Sequence, residues 1–230
     1  MNAAATIYSE LPSSGASHHL PTREMGSAAT PAPSLPCRGE AGPRGEPGEG
    51  ALPSFSILAE TTADIAGRDA LLERAMGPRW RKKASHKLRR GRLPSQGLAL
   101  VARDHEGAVV GTVRLWDVLA GENGPAALLL GPLAVDPAVK SAGIGSALMR
   151  HAIGEARRLG HKAILLVGDA PYYARFGFSA EKTGSLSMPG PYERHRFLAL
   201  ELVEGALGGA HGVLKPAGRK VDGRRLTSAA

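Results

Sequence analysis

The stretch AALLLGPLAVDPAVKSAGIGSALM, residues 126–149, decides the fold of this 230-residue chain. Its first ten residues are apolar nearly throughout, the composition of a central strand covered on both faces. Gly131 and Pro132 interrupt that strand. Proline cannot donate to a ladder and glycine weakens one, so the pair marks a bulge or the point where pairing to the next strand ends. The period then changes. Ile144, Leu148, Ala152 and Leu159, with Ala147 and Ala156, fall on one helical face that closes at Gly160. Between strand and helix lies Lys140-Ser-Ala-Gly-Ile-Gly145. This order turns unpaired backbone N–H groups and the positive end of the helix dipole toward one point, where an anion is favoured. Gly143 and Gly145 remove the Cβ atoms that would keep a ligand away, and Lys140 and Ser146 add a charge and a hydroxyl. The spacing is that of neither a nucleoside-triphosphate loop nor a complete dinucleotide fingerprint.

On either side, strand and helix patterns alternate from residue 53 to about 204. SFSIL (54–58) reads as a first strand. Thr61-x-x-Asp64 is a capping-box-like start for a helix reaching Met76, with Ile65, Leu72 and Met76 on one face and Gly77-Pro78 closing it. LALVAR (98–103) and AVVGTVRLW (108–116) flank the turn Asp104-His-Glu-Gly107, a hairpin signal. KAILLVG (162–168) is a further apolar strand, and HRFLALELV (195–203) a last one with period-two alternation.

The formal net charge is +8, and residues 79–92 alone carry eight Arg and Lys with no acid. Trp80, Ala84 and Leu88 make that run an amphipathic helix with a basic outer face, either solvated or turned toward an acidic acceptor or a nucleic acid. Residues 1–52 are rich in Pro, Gly, Ser and Ala without apolar periodicity, and read as a disordered arm. Within it Gly39, Gly42, Gly45 and Gly48 recur every third residue, but four triplets do not sustain a triple helix. The single cysteine, Cys37, and the pair His18-His19 also lie there, so cysteines within the chain build no disulfide framework, zinc cluster or catalytic thiol, and no metal is assigned. Residues 205–230, with a basic cluster from Lys215 to Arg225, read as a flexible tail. The start lacks a secretory pattern and no run approaches the roughly 18 apolar residues of a membrane span, so a cytoplasmic protein with no membrane partner is expected.

DAPYYARFGF (169–178) gathers four of the chain's ten aromatic residues within seven positions, either as a packing knot or as a site that needs a phenol. LAVDPAVKSAGIGSALM followed by AILLVGDAPYYARFGF resembles the GNAT superfamily of acetyl-CoA-dependent N-acetyltransferases. Its hallmark is a Gln/Arg-x-x-Gly-x-Gly/Ala turn opening a helix, then an aromatic-Tyr-x-x-x-Gly-Phe segment. The resemblance covers residues 53–204, and the ending MPGPYERHRFLALEL looks like a bacterial branch of predicted acetyltransferases. Lys140 stands where the family has Gln or Arg, which keeps a charge but alters its reach. LLLGPLAV offers no Glu where several members carry a base.

The resemblance implies an α/β (α+β) domain with a mixed, mostly antiparallel sheet flanked by helices, its central strands splayed around acetyl-CoA. Backbone groups of Leu133 and Val135 would pair with the cofactor arm. Lys140, Ser141, Ala142, Gly143, Ile144, Gly145 and Ser146 would hold its pyrophosphate. A primary amine on a small molecule, peptide or protein would attack the thioester directly, giving a tetrahedral oxyanion and then a thiolate. A backbone N–H near Val135 would serve the oxyanion. Tyr173, the second aromatic of the pair, would act as general acid to the thiolate, since a phenol of pKa about 10 is protonated at neutral pH. Tyr172, Phe176 and Phe178 would pack around it. Asp169 either caps the following helix or contacts the pantetheine arm, and Arg175 pairs with a phosphate or with a carboxylate. The amine's proton leaves through water or to a residue such as Asp117 or Glu122. The enzyme would be a monomer or homodimer.

Two readings from other classes compete. A basic nucleic-acid-binding protein draws on the net charge and residues 79–92, but the aromatics gather at one turn instead of interleaving with the basic residues, which makes a nucleic-acid partner the weaker reading. A non-catalytic acyl-CoA-binding module draws on the absent Glu.

Overall fold

The computed structural model describes residues 55–82 and 84–221. Its first half runs β1 (Ser56–Ala59), α1 (Ile65–Met76), α2 (Ala84–Arg89), β2 (Ala99–Arg103), β3 (Val109–Leu119) and β4 (Ala126–Val135). The second runs α3 (Ile144–Arg158), β5 (Ala163–Val167), α4 (Ala170–Ala174), β6 (Ser185–Ser187), β7 (Phe197–Glu201), β8 (His211–Val213) and β9 (Lys215–Pro216). The arm 1–52, with Cys37 and His18-His19, lies outside the described residues, as do 222–230.

One sheet is ordered β1-β2-β3-β4-β5-β7, with β9 also paired to β3 at Val118 and Leu119. Among the described strands of this sheet only β4 and β5 run parallel, and their pairing is short: Leu128 faces Ile164, Leu129 faces Leu165, and there it ends. Gly131-Pro132, joined by a cis peptide bond, follows at once. Opposite it the β3–β4 register slips, since Val113 pairs with Leu133 but Leu115 with Leu130, leaving two residues of β4 against Arg114 alone. The interruption is therefore both a bulge and the end of pairing to β5. The Trp116 indole N–H donates to the Gly131 carbonyl at 2.7 Å and fixes the bulge from the neighbouring strand.

Each face of the sheet carries its own core. On one, α3 lays Ile144, Leu148, Met149, Ala152, Ile153 and Ala156 over Leu100, Val113, Leu115, Leu128, Ile164 and Leu198. A buried Leu or Ile stabilises by about 1.5–3 kcal/mol, so this face holds most of the fold. The opposite face buries Trp116, Val118, Leu129, Leu165 and Phe197 beneath Leu88, Leu186, Leu207 and Leu214. No helix among the described residues is long and apolar enough to cross a membrane.

Three expectations are corrected. Residues 205–221 do not form a flexible tail: β8 pairs with β6, β9 pairs with β3, and Leu214 is 1 % exposed. The Leu93 N–H donates to the Arg219 carbonyl at 2.8 Å, the Val221 N–H donates to the Gly91 carbonyl at 3.0 Å, and Arg92 donates to the Gly218 carbonyl. The basic run is divided into a tight 3-10 turn, Pro78–Lys82, whose Trp80 lines a cavity, and the short α2, whose Leu88 is buried in the second core. In α1 the inward positions are Arg68, Leu71 and Leu72, whereas Ile65 is 44 % exposed. The predicted start of that helix holds: the Asp64 carboxylate accepts from the Thr61 N–H and hydroxyl, both at 2.8 Å, and from Arg103 at 2.7 Å.

Candidate active site

The turn after β4 begins at Asp136, whose carboxylate accepts from the Ala138 N–H at 3.0 Å and from Arg74 of α1 at 2.6 Å. Those two bonds, the backbone one first, hold its carboxyl below the usual range despite partial burial. The chain passes Ser141 and Gly143 in the left-handed region, both at φ +77°, and enters α3. Ala147 is the first residue of α3 whose N–H closes a bond, to the Gly143 carbonyl at 3.0 Å. The N–H groups of Gly143, Ile144, Gly145 and Ser146 have no acceptor among the described residues. Four orphan donors at the positive end of a fifteen-residue helix are a site for an anion.

Val135, Lys140, Ser141, Gly143, Ile144, Gly145 and Ser146 line one cavity of about 340 Å³, together with Val139, Tyr172 and Arg175. Seven of the nine turn and strand positions singled out in the sequence thus meet in one place. Ala142 packs instead against the α3 core, and Leu133 lines a separate cavity. Arg175 has no carboxylate partner among the described residues: its guanidinium lies 4.2 Å from the centre of the Tyr172 ring, and its Nε donates to the Tyr172 carbonyl at 3.1 Å. Its charge faces the anion cavity.

Beyond Pro132 the edge of β4 is open. The Asp136 N–H donates to Val110 of β3 at 2.9 Å. With the two-residue period of a strand, Ala134 also faces β3, and the polar backbone of Leu133 and Val135 faces the side that β5 has left. A ligand strand laid there finds both donors and acceptors.

Tyr173 closes the far end of this gap. Its ring is edge-on to Tyr172 at 4.9 Å and to Phe178 at 6.0 Å. It lies across Gly168, where a Cβ would overlap the ring. Burial, followed by the neighbouring Tyr172, pushes the phenol up to about 12. Its cavity, about 80 Å³, is also lined by Leu130, Gly131, Pro132, Leu133 and Val167. Asp169 stands at the N-cap of α4, but its side chain makes no cap bond. Asp117 and Glu122 line neither cavity. Asp117 pairs with Leu128, and Glu122 sits in the loop between β3 and β4, about 20 Å along the strand from Leu133 at roughly 3.3 Å per residue.

A third cavity, about 260 Å³, adjoins that of Tyr173 and shares Trp80, Arg89 and Pro132 with it. Arg68, Asp69, Arg81, His86, Arg90, Arg114 and Trp116 line the rest of it, with Leu72 and Gly91. Behind them Glu60 of the β1–α1 loop accepts from both Arg68 and Arg114, the latter through Nε at 2.7 Å. Burial, then the surrounding arginines, pushes the His86 imidazole below its ordinary value, so it is neutral at pH 7. Little in the sequence signals this cavity, because its arginines come from three separated segments and one of them, Arg89, sits in a run that reads as a solvated face.

A family model described as Acetyltransferase (GNAT) domain matches residues 95–180. The uncharacterized N-acetyltransferase YhbS of Escherichia coli (strain K12) is 30 % identical over 159 residues, spanning 69 % of this chain and 94 % of that protein. The crystal structure of the E. coli GNAT family N-acetyltransferase YhbS in complex with CoA superposes with a TM-score of 0.62 at 31 % identity, covering 72 % of this chain and 91 % of that one. A GNAT family acetyltransferase from Brucella melitensis in complex with acetyl-CoA gives a TM-score of 0.54 at 27 % identity, covering 71 % and 96 %.

Proposed function

The chain belongs to the GNAT acetyltransferase family and is an acetyl-CoA-dependent N-acetyltransferase; from that premise we propose how its residues carry the reaction. The observation that carries the proposal is the succession of three features: the orphan donors of Gly143, Ile144, Gly145 and Ser146, the open edge of Leu133 and Val135 with one residue in each cavity, and the phenol of Tyr173. The turn holds the pyrophosphate, with Lys140 and Arg175 adding charge. The open edge of β4 receives the pantetheine arm. The thioester then lies beside Pro132 and Tyr173, where the arginine-lined cavity delivers a primary amine.

The unprotonated nitrogen forms the new C–N bond, and the Val135 N–H steadies the oxygen of the tetrahedral species. The C–S bond breaks as Tyr173 gives its proton to the departing sulfur. The nitrogen's surplus proton ultimately restores the phenol, so a free thiol and an amide leave. In the arginine-lined cavity the Asp69 carboxylate is occupied by Arg68, which leaves the neutral His86 imidazole to take that proton. The cations around them favour the unprotonated amine that the attack requires.

The test is calorimetric titration of acetyl-CoA into wild type and Gly145→Glu. A Cβ at Gly145 would lie 3.0 Å from the Tyr172 hydroxyl and 3.4 Å from Val135, so the new carboxylate is forced into the turn. Saturable binding in wild type and none in the variant is expected. Equal binding in both would remove the turn from the cofactor site, and binding without turnover of any amine would leave a non-catalytic acyl-CoA-binding module. We assign this activity to residues 53–221 and propose that the arm 1–52 is dispensable for it, which deletion of the arm tests.

A further inference from the structure

Arg89 is the exception among the buried and half-buried arginines of this region. Arg68 and Arg114 share Glu60, and Arg103 is held by Asp64. Arg89, 7 % exposed, has no carboxylate within ion-pair distance among the described residues. Its Nε donates to the Ser85 carbonyl at 3.2 Å and its Nη2 to the Ser85 hydroxyl at 3.0 Å. Nη1 makes no bond to a described residue. It is not an enclosed orphan either, since among the described residues no fully buried side-chain nitrogen or oxygen lacks a partner, so it opens on the cavity that Arg89 lines. Arg114 likewise commits Nε and Nη2 to Glu60 and keeps Nη1 free of described partners.

A charge taken out of water without a counter-ion is costly, and buried arginines are normally paired for that reason. Here burial, and then the charge of Arg114, draw the guanidinium down to about 10, still cationic at neutral pH. Five arginines line the cavity against Asp69 and the Glu60 behind it, an excess of three positive charges. The donor's phosphates do not account for them, because the turn cavity shares no lining residue with this one. Trp80, Trp116, Leu72 and Pro132 supply apolar walls, so the space of about 260 Å³ suits a small molecule.

Resting on the acetyltransferase reading, we propose that the acceptor is a small amine bearing an anionic oxygen group, a carboxylate or a phosphate, and that Arg89 and Arg114 receive that group. A guanidinium fork matches both anions. The shared wall of Trp80, Arg89 and Pro132 then sets the amine beside Tyr173. The excess positive charge disfavours polyamines and lysine-rich peptides.

The experiment measures kcat/KM with full-length protein and saturating acetyl-CoA for ethanolamine, β-alanine, O-phosphoethanolamine and spermidine. Either anionic amine is expected to exceed ethanolamine by at least about 10-fold, and their order separates carboxylate from phosphate. Arg89→Gln should lower that ratio about 10- to 100-fold, the loss of a hydrogen bond to a charged group. It should do so while the Kd for acetyl-CoA stays put. Arg89→Lys, which keeps the charge but not the fork, should fall between. Ethanolamine or spermidine used as well as the anionic amines, or a ratio unmoved by Arg89→Gln, overturns the proposal. Calorimetry with the same amines and the protein–CoA complex, in which the phosphate turn is already filled, gives a second reading that needs no turnover. Saturable binding by an anionic amine alone supports the proposal, and binding by none overturns it. If acetyl-CoA itself does not bind, the acetyltransferase assignment fails, a result distinct from wrong selectivity with the donor bound.

Discussion

Replacing Tyr173 by Phe removes one oxygen from the centre of the proposed chemistry and little else. The ring keeps its edge contacts with Tyr172 at 4.9 Å and Phe178 at 6.0 Å, and the same cover over Gly168. No hydrogen bond from the phenol to a described residue is broken, so stability should change by less than about 1 kcal/mol. The kinetic effect is larger. A general acid contributes about 10²–10⁴ in rate, or roughly 2.7–5.4 kcal/mol at 1.36 kcal/mol per decade. With the phenol at about 12 and a free thiol near 8.5, transfer to a solvated thiolate would be uphill by about 5 kcal/mol. The thiolate forms in the same dry pocket, however, and burial raises its proton affinity too. We therefore expect the lower end, a kcat reduced about 100-fold, with the acetyl-CoA Kd unchanged. Thiol release followed with a chromogenic disulfide gives kcat, and calorimetry gives Kd. Because the phenol stays protonated to about pH 12, the wild-type profile should show no alkaline fall from Tyr173 below about pH 11. Wild-type turnover in the Phe variant, with affinity unaltered, would refute the acid role. A rise in Kd matching the loss in rate would make Tyr173 a binding residue.

Gly168→Ala keeps the hydroxyl but displaces the ring that carries it, so kcat should drop at least about 10-fold while acetyl-CoA binding at the distant turn changes little. Leu214→Ala should cost about 2–5 kcal/mol in denaturant unfolding, although it lies in a stretch whose sequence reads as a tail. Burial raises the Asp64 carboxyl, but bonds from Thr61 and Arg103 outweigh it and leave its folded pKa below the ordinary 3.8. The stability it supplies is therefore complete above about pH 4 and is lost as pH falls through the folded value; Asp64→Asn should be less stable at pH 7 and show a shallower acid decline in thermal melts.

The elements that position the cofactor were legible because each follows from local rules. An unbroken apolar strand, a Gly-Pro interruption, a glycine turn and a 3.6-residue period are all written within residues 126–160. Tyr173 was legible through its neighbours, since four aromatics in so short a span need a reason. Arg89 was not: between Leu88 and Arg90 it looks like one more solvated cation, and only the fold places Arg114 opposite it. Leu207 and Leu214 failed for a related reason. Separated by Gly208, Gly209 and Gly212, they show no period, and their burial is decided by β3 nearly a hundred residues earlier. Asp117 and Glu122, named for the amine's proton, line neither the turn cavity nor that of Tyr173, a placement that a loop read from sequence cannot supply.

The strand β9 also sets an order of events during synthesis. Residues 205–221 emerge after every other part of the described domain, yet they cover Trp116 and Val118 and bond along the edge of β3. The α3 side of the sheet can assemble from what precedes it, whereas the other side, already covered by Leu88, Leu186 and Met188, lacks Leu207 and Leu214 until the last stretch has been made. A nascent chain paused near residue 204 thus displays an apolar surface and an unpaired strand edge, the features by which chaperones and neighbouring chains capture incomplete proteins.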